Sequence, residues 1–142
     1  MTASLRRARR DDAKHVASLM TELGYPSSET DVVDRLAHSL QSQTSCCLVA
    51  EQEGEVVALM SAELVPYFPT GATICRVTSL VVASAHRRRG LGDKLMAAAA
   101  DFAREHHCSG LEVTSAERRV EAHRFYEGLG FSRTAFRFFR TL

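Results

Sequence analysis

Arg87-Arg88-Arg89-Gly90-Leu91-Gly92 carries the clearest chemistry in this chain. It follows the apolar run Val77-Thr78-Ser79-Leu80-Val81-Val82 and opens an apolar-periodic segment from Leu91 to Arg104. A strand, a basic glycine-bearing turn and a helix start, in that order, build an anion site, because free backbone N–H groups and the positive helix end face one point. Gly90 permits backbone angles that a side chain forbids, and Gly92 lets a diphosphate approach the first helical turn. The three arginines add charge at the same place. The expected ligand is a phosphorylated cofactor. A dinucleotide-binding fold needs three spaced glycines after an N-terminal strand, and a P-loop needs a Gly-Lys-Ser or Gly-Lys-Thr ending; neither is present.

The elements that must position this turn follow from periodicity. A strand is expected at residues 5–9, then a helix capped by Asp11 or Asp12, carrying Val16, Leu19, Met20 and Leu23 and ended by Gly24. Pro26 and Ser27-Ser28-Glu29 start a second helix with Val32, Val33, Leu36 and Leu40. Residues 46–50 and 55–65 read as strands joined at Glu53-Gly54, a hairpin signal. Residues 66–71 form a loop rich in breakers, and residues 72–82 a strand leading into the basic turn. The long helix presents Leu91, Leu95, Ala98 and Phe102 to the sheet. A strand at 110–114, a helix at 120–129 and a terminal strand region at 131–140 complete one α/β domain, residues 1–142, with a mixed sheet. Strand alternation puts Arg76, Thr78 and Leu80 on one face and Val77, Ser79 and Val81 on the other. Arg119, His123 and Tyr126 share a helix face, beside an apolar stripe of Ala122, Phe125 and Leu129.

Arg87, Gly90 and Gly92 match Arg/Gln-x-x-Gly-x-Gly/Ala, so the turn resembles the acetyl-CoA signature of the GNAT superfamily of N-acetyltransferases. Ala122-His123-Arg124-Phe125-Tyr126 through Leu129-Gly130-Phe131 resembles the family's second hallmark, a helix carrying Phe-Tyr and closing in Leu-Gly-Phe. Leu5 to Ala13 and Leu23-Gly24-Tyr25-Pro26 are similar to the family's first strand, helix cap and first helix break. The resemblance implies a mixed, mostly antiparallel sheet flanked by about four helices, with splayed central strands forming a V-shaped cofactor cleft. It implies acetyl-CoA as cosubstrate, with pantetheine paired to the backbone from Leu80 through Val81 to Val82, and the diphosphate held by Arg87, Arg88, Arg89, Gly90, Leu91, Gly92 and Asp93. Asp93 is a mild departure, since a carboxylate beside phosphates is unfavourable unless it points away. Arg119 stands where many members have an asparagine that touches pantetheine.

The implied chemistry is direct attack by an amine on the thioester, with an oxyanion held by a main-chain N–H near Val82 and Tyr126 as the acid protonating the leaving thiolate. The base is open among Glu63, Glu22, Ser79 acting through water, and water alone. Acceptor contacts are expected from Glu22, Tyr25, Tyr67, Arg76, Ser79 and His123. A weaker likeness to aminoalkylphosphonate N-acetyltransferases implies a small amine bearing an anionic group. Ser79 replaces a carboxylate of that group, and the 66–71 loop lacks its histidines, so its metal dependence is not carried over and no metal site is expected. The alternative is a CoA-binding regulatory module without transfer activity.

With 142 residues, 45% hydrophobic and 25% charged content, the chain is long enough for a substantial core. A net charge of +1 speaks against a nucleic-acid partner. No apolar run reaches membrane-spanning length, and the polar N-terminus lacks a signal-peptide core, so a cytoplasmic protein without a membrane partner is expected. Cys46, Cys47, Cys75 and Cys108 are read as reduced thiols, and His106-His107-Cys108 as a helix-to-strand loop. A small-molecule amine is the expected partner, and the resemblance allows a homodimer through the last strand region.

Overall fold

A computed structural model describes residues 2–142. The chain separates into two compact units, Met1–Glu112 and Val113–Leu142. The first holds β1 (Ser4–Arg7), α1 (Ala13–Leu23), α2 (Glu29–Gln41), β2 (Ser45–Gln52), β3 (Glu55–Tyr67), β4 (Ala72–Val82) and α3 (Leu91–Glu105). β5 (Gly110–Val113) ends at the boundary, and α4 (Val120–Gly128) lies in the second unit.

The five strands pair in the order β1-β2-β3-β4-β5. The first three pairings are antiparallel. β5 runs parallel to β4: Ser109 N–H donates to the Thr73 carbonyl at 2.9 Å, and three residues further along both strands Arg76 meets Glu112 at 3.4 Å. That parallel step needs a crossover, which α3 supplies. Local chemistry sets the element ends. Gly24 takes φ 105° and stops α1, the Ser28 hydroxyl accepts the Asp31 N–H at the start of α2, and Glu53-Gly54 take φ 52° and 81° in the β2–β3 turn.

Helices cover both faces of the sheet. Under α1 and α2, Val16, Leu19, Val32 and Leu36 pack on Val49, Leu59 and Val81. On the opposite face α3 buries Leu91, Leu95, Ala99 and Ala103 at four-residue spacing, together with Met96. The expected stripe is thus rotated: Ala98 and Phe102 sit at its edge, half-buried, and Phe102 stacks near His106, with ring centroids 4.5 Å apart. Leu95 and Met60 are fully buried, and truncating either to Ala costs roughly 2–5 kcal/mol.

Asp12 is 5% exposed, and its carboxylate receives Arg6 through both terminal nitrogens at 2.8 and 2.9 Å, with the Arg9 N–H at 2.7 Å. Burial favours the neutral acid, but the hydrogen bonds from Arg6 and Arg9 outweigh it and lower the Asp12 pKa. Arg6 also reaches Glu51, at 3.3 Å, so one member of the arginine-rich first strand is spent in a structural network.

Two expectations change. The 66–71 loop is shorter, because β3 continues through Pro66 and Tyr67 before the turn at residues 68–71. No strand forms at 131–140, since a strand exists only where another edge pairs with it and the second unit holds one helix and only the last residue of β5. That segment instead exposes Phe136, Phe138 and Phe139, with the Arg137 guanidinium 4.8 Å from the centre of the Phe139 ring.

Candidate active site

The basic turn has the backbone an anion site requires. Arg88 takes φ 62° and Gly90 φ 78°, both in the left-handed region, and Gly90 caps α3 with no side chain bonded to its amides. The first helical bond runs from Lys94 N–H to the Gly90 carbonyl at 3.1 Å, so Leu91, Gly92 and Asp93 keep N–H groups without a helical acceptor. Arg87, Arg88 and Arg89 are exposed around them. These residues fit a diphosphate. Asp93, exposed in the first turn, interacts favourably with the helix dipole and opposes an added anion.

β4 delivers the chain to this turn. It pairs with β3 up to Val82, whereas β5 ends at Val113, so Leu80, Val81 and Val82 lie beyond the reach of β5. Arg87 Nε donates to the Val82 carbonyl at 3.1 Å and joins the strand end to the basic turn. Glu22 holds the same junction from α1, its carboxylate accepting the Ser84 N–H at 3.2 Å.

The alternation expected along β4 does not hold. Ser79 lies opposite Ser61 and Val77 opposite Ala62, which leaves Thr78 as an extra, bulged residue. The faces therefore read Arg76, Ser79 and Val81 on the α1/α2 side, and Val77, Leu80 and Val82 on the α3 side. Thr78 and Ser61 bond through their hydroxyls at 2.7 Å.

Within the second unit, Tyr126 is 8% exposed and packs edge-to-face against Phe125 and Phe131, with centroids 5.4 and 5.8 Å away. Burial raises its phenol pKa, and the charge of Arg119 partly offsets the rise. The phenol keeps its proton throughout the neutral range. Arg119 precedes α4 with φ −87° and ψ 65°, so it does not continue the helix face shared by His123 and Tyr126. His123 Nε2 meets the Ala116 carbonyl at 2.9 Å, which commits the ring to the turn before α4.

The expected acceptor residues are dispersed. Tyr25 is 69% and Tyr67 44% exposed, and Arg76 turns to Glu112. Ser79 alone among them lines the cavity of about 410 Å³ between the helices α1 and α2 and strands β2 to β4. Its floor includes Cys47, Ser61 and Glu63, and its walls Leu36, Arg35 and His38. The sequence carried no signal for this cavity, because its floor is assembled across three strands whose facing depends on register. Burial pushes the Cys47 thiol up to about 12, with the nearby Cys46 thiol adding to the effect, and burial likewise pushes Cys75 to about 11. Neither is a thiolate at neutral pH.

A helix-flanked sheet whose fourth strand runs into a left-handed glycine turn and a helix with free amides defines an α/β protein with the backbone geometry of an anion site. The chain belongs to the acetyltransferase (GNAT) family, whose model matches residues 8–131. It is 30% identical over 141 residues to an aminoalkylphosphonate N-acetyltransferase of Salmonella typhimurium, covering 97% of this chain and 90% of that protein. It is also 30% identical over 105 residues to mouse N-acetyltransferase 8F1, covering 74% of this chain and 47% of the relative. The chain thus spans about half the length of the N-acetyltransferase 8 relatives it matches. Its fold superposes with a TM-score of 0.87 on an aminoglycoside N-acetyltransferase, AAC(6')-Iy, solved in complex with CoA, at 16% identity and covering 99% of this chain and 94% of that one. Among the described residues, the mixed α/β fold with a five-stranded sheet and four α-helices is the GNAT fold. Among the described residues, no helix is long and apolar enough to cross a membrane.

Proposed function

We propose that this chain is an acetyl-CoA-dependent N-acetyltransferase that moves acetyl directly to the primary amine of a small molecule. The observation that carries this reading is the turn from β4 into α3, with Gly90 at φ 78° and three amides free of helical acceptors. Arg87, Arg88, Arg89 and the amides of Leu91, Gly92 and Asp93 would hold the diphosphate. The edge of β4 from Leu80 to Val82 would take the pantetheine arm. Acetyl-CoA bound there supplies the thioester carbon that the amine attacks and the thiolate that leaves.

The chain's own groups then have separate tasks. A main-chain N–H near Val82 donates to the developing oxyanion. Tyr126 gives its proton to the leaving sulfur and regains one from solvent, while the nitrogen releases a proton as the amide forms. A phenol held protonated by burial suits that task. Direct transfer is favoured over an acyl-cysteine route through Cys75 or Cys108 because burial raises the pKa of both thiols and keeps them in their protonated, weakly nucleophilic form. A small acceptor is supported by the near full-length match to an enzyme named for aminoalkylphosphonates.

Acetyl-CoA calorimetry followed by thiol release against a panel of amines tests this. Binding with turnover of one amine class supports the transferase. Binding with no turnover across aminophosphonates, amino acids, polyamines, arylalkylamines and peptides favours the regulatory module, and no binding overturns the reading of residues 87–92.

A further inference from the structure

One sheet face changes character along its length. Val49 on β2, Leu59 on β3 and Val81 on β4 lie side by side and are buried under α1 and α2. The next row on that face is Cys47, Ser61 and Ser79, and the row after it is Ser45, Glu63 and Arg76. The switch from apolar to polar falls where the cavity of about 410 Å³ opens beneath α2. A sheet face that turns polar beneath a helix, with space between them, has room for a bound polar group.

Glu63 gives the chemistry. It is half-buried in the cavity floor, and the Ser45 hydroxyl, from a side chain itself buried, donates to one of its oxygens. Among the described residues no cation pairs with it. Arg76, its partner across the β3–β4 ladder, bonds to Glu112 at 3.4 Å. A partly buried carboxylate with unfilled acceptor sites is costly until a cation or donor reaches it. Val16, Met20, Val32, Leu36, Leu59 and Ala62 form the apolar part of the lining, and Asp34, His38 and Ser39 the polar part, with Arg35 bonded to Ser27 at 2.9 Å.

We propose that this cavity is the acceptor site and that it selects primary amines with an apolar alkyl or arylalkyl body. Glu63 receives the ammonium as the substrate enters; the ammonium gives one proton to water, and the Ser61 and Ser79 hydroxyls orient the neutral nitrogen toward the adjoining Leu80 backbone. The body lies against the Met20, Leu36 and Cys47 part of the lining. A dianionic headgroup is disfavoured, because Glu63 and Asp34 both line the cavity and Arg35 is its one lining arginine or lysine. The inference rests on the transferase reading for turnover, but amine binding is a separate observable.

The test measures binding of phenethylamine and 2-aminoethylphosphonate by calorimetry, with and without acetyl-CoA, and then turnover of each. Phenethylamine should bind, and its KM should be at least tenfold below that of the phosphonate. Glu63→Gln, which keeps shape and the Ser45 contact, should raise the phenethylamine KM or Kd at least tenfold while leaving acetyl-CoA affinity unchanged. Ser79→Leu, filling the cavity from its floor, should abolish amine binding. Preference for the phosphonate, or an unchanged amine constant in Glu63→Gln, overturns the proposal and leaves the transferase standing. Amine binding without acetyl-CoA binding supports the cavity assignment and sinks the transferase.

Discussion

Replacing Gly90 by Ala isolates the backbone contribution of the phosphate turn. A Cβ built at Gly90 meets no atom within 4 Å, so the substitution creates no clash, and the cost is that of holding a non-glycine residue at φ 78°. That cost is about 1–2 kcal/mol. It must be expressed in one of two places. If the turn keeps its shape without ligand, unfolding stability falls by that amount, roughly 3–8 °C in Tm for a domain of this size, and acetyl-CoA affinity is unchanged. If the free turn relaxes, stability is retained and ligand binding must restore the left-handed angle, so the Kd rises by roughly 5–30-fold. The two losses share one origin and should together amount to about 1–2 kcal/mol. Urea unfolding without ligand and calorimetric titration of acetyl-CoA measure both. Gly90→Ala with neither quantity changed would refute the claim that the left-handed angle organises the anion site.

Tyr126→Phe should lower turnover by roughly 10²-fold or more with acetyl-CoA affinity retained, read by steady-state thiol release. Because burial raises the phenol pKa, the activity limb that Tyr126 contributes should lie at alkaline pH and be absent from the variant, read from the pH dependence of kcat. Asp93→Asn should tighten acetyl-CoA binding a few-fold and cost about 0.3–1 kcal/mol of stability, since the carboxylate opposes the ligand but favours the helix start. Asp12→Ala should destabilise by roughly 2–3 kcal/mol, because Arg6 and the Arg9 amide lose a charged acceptor. With Arg6 and the Arg9 N–H holding the folded Asp12 carboxyl below the usual carboxylate range, its contribution is present above that range and lost as pH falls through the folded value; the wild-type acid transition should exceed that of Asp12→Ala in stability lost below about pH 4. Cys47 and Cys75 should resist alkylation at pH 8 in the folded chain and react in urea, by mass spectrometry.

Order and kind of element were legible because they depend on neighbours in sequence. Gly24, Ser28 and Glu53-Gly54 set ends and turns locally, and Leu91 and Leu95 kept their place on the buried face of α3. Arg87, Gly90 and Gly92 carried the phosphate turn, since left-handed angles and free amides are properties of a few consecutive residues. What tertiary structure decided was everything that depends on register. One bulged residue, Thr78, reversed the facing of β4 beyond it, placing Ser79 with Ser61 and Leu80 with Met60. The α3 stripe rotated to Leu91, Leu95, Ala99 and Ala103 because the sheet, not the helix, fixes which residues meet it. Glu22, Arg76 and His123, free acceptor contacts by position alone, found partners in Ser84, Glu112 and Ala116. Glu63, by contrast, gained its meaning only when pairing set it in a cavity floor with Arg76 turned elsewhere. A local motif is written in a few adjacent residues, whereas a cavity is written in the offsets between strands, which no single segment carries.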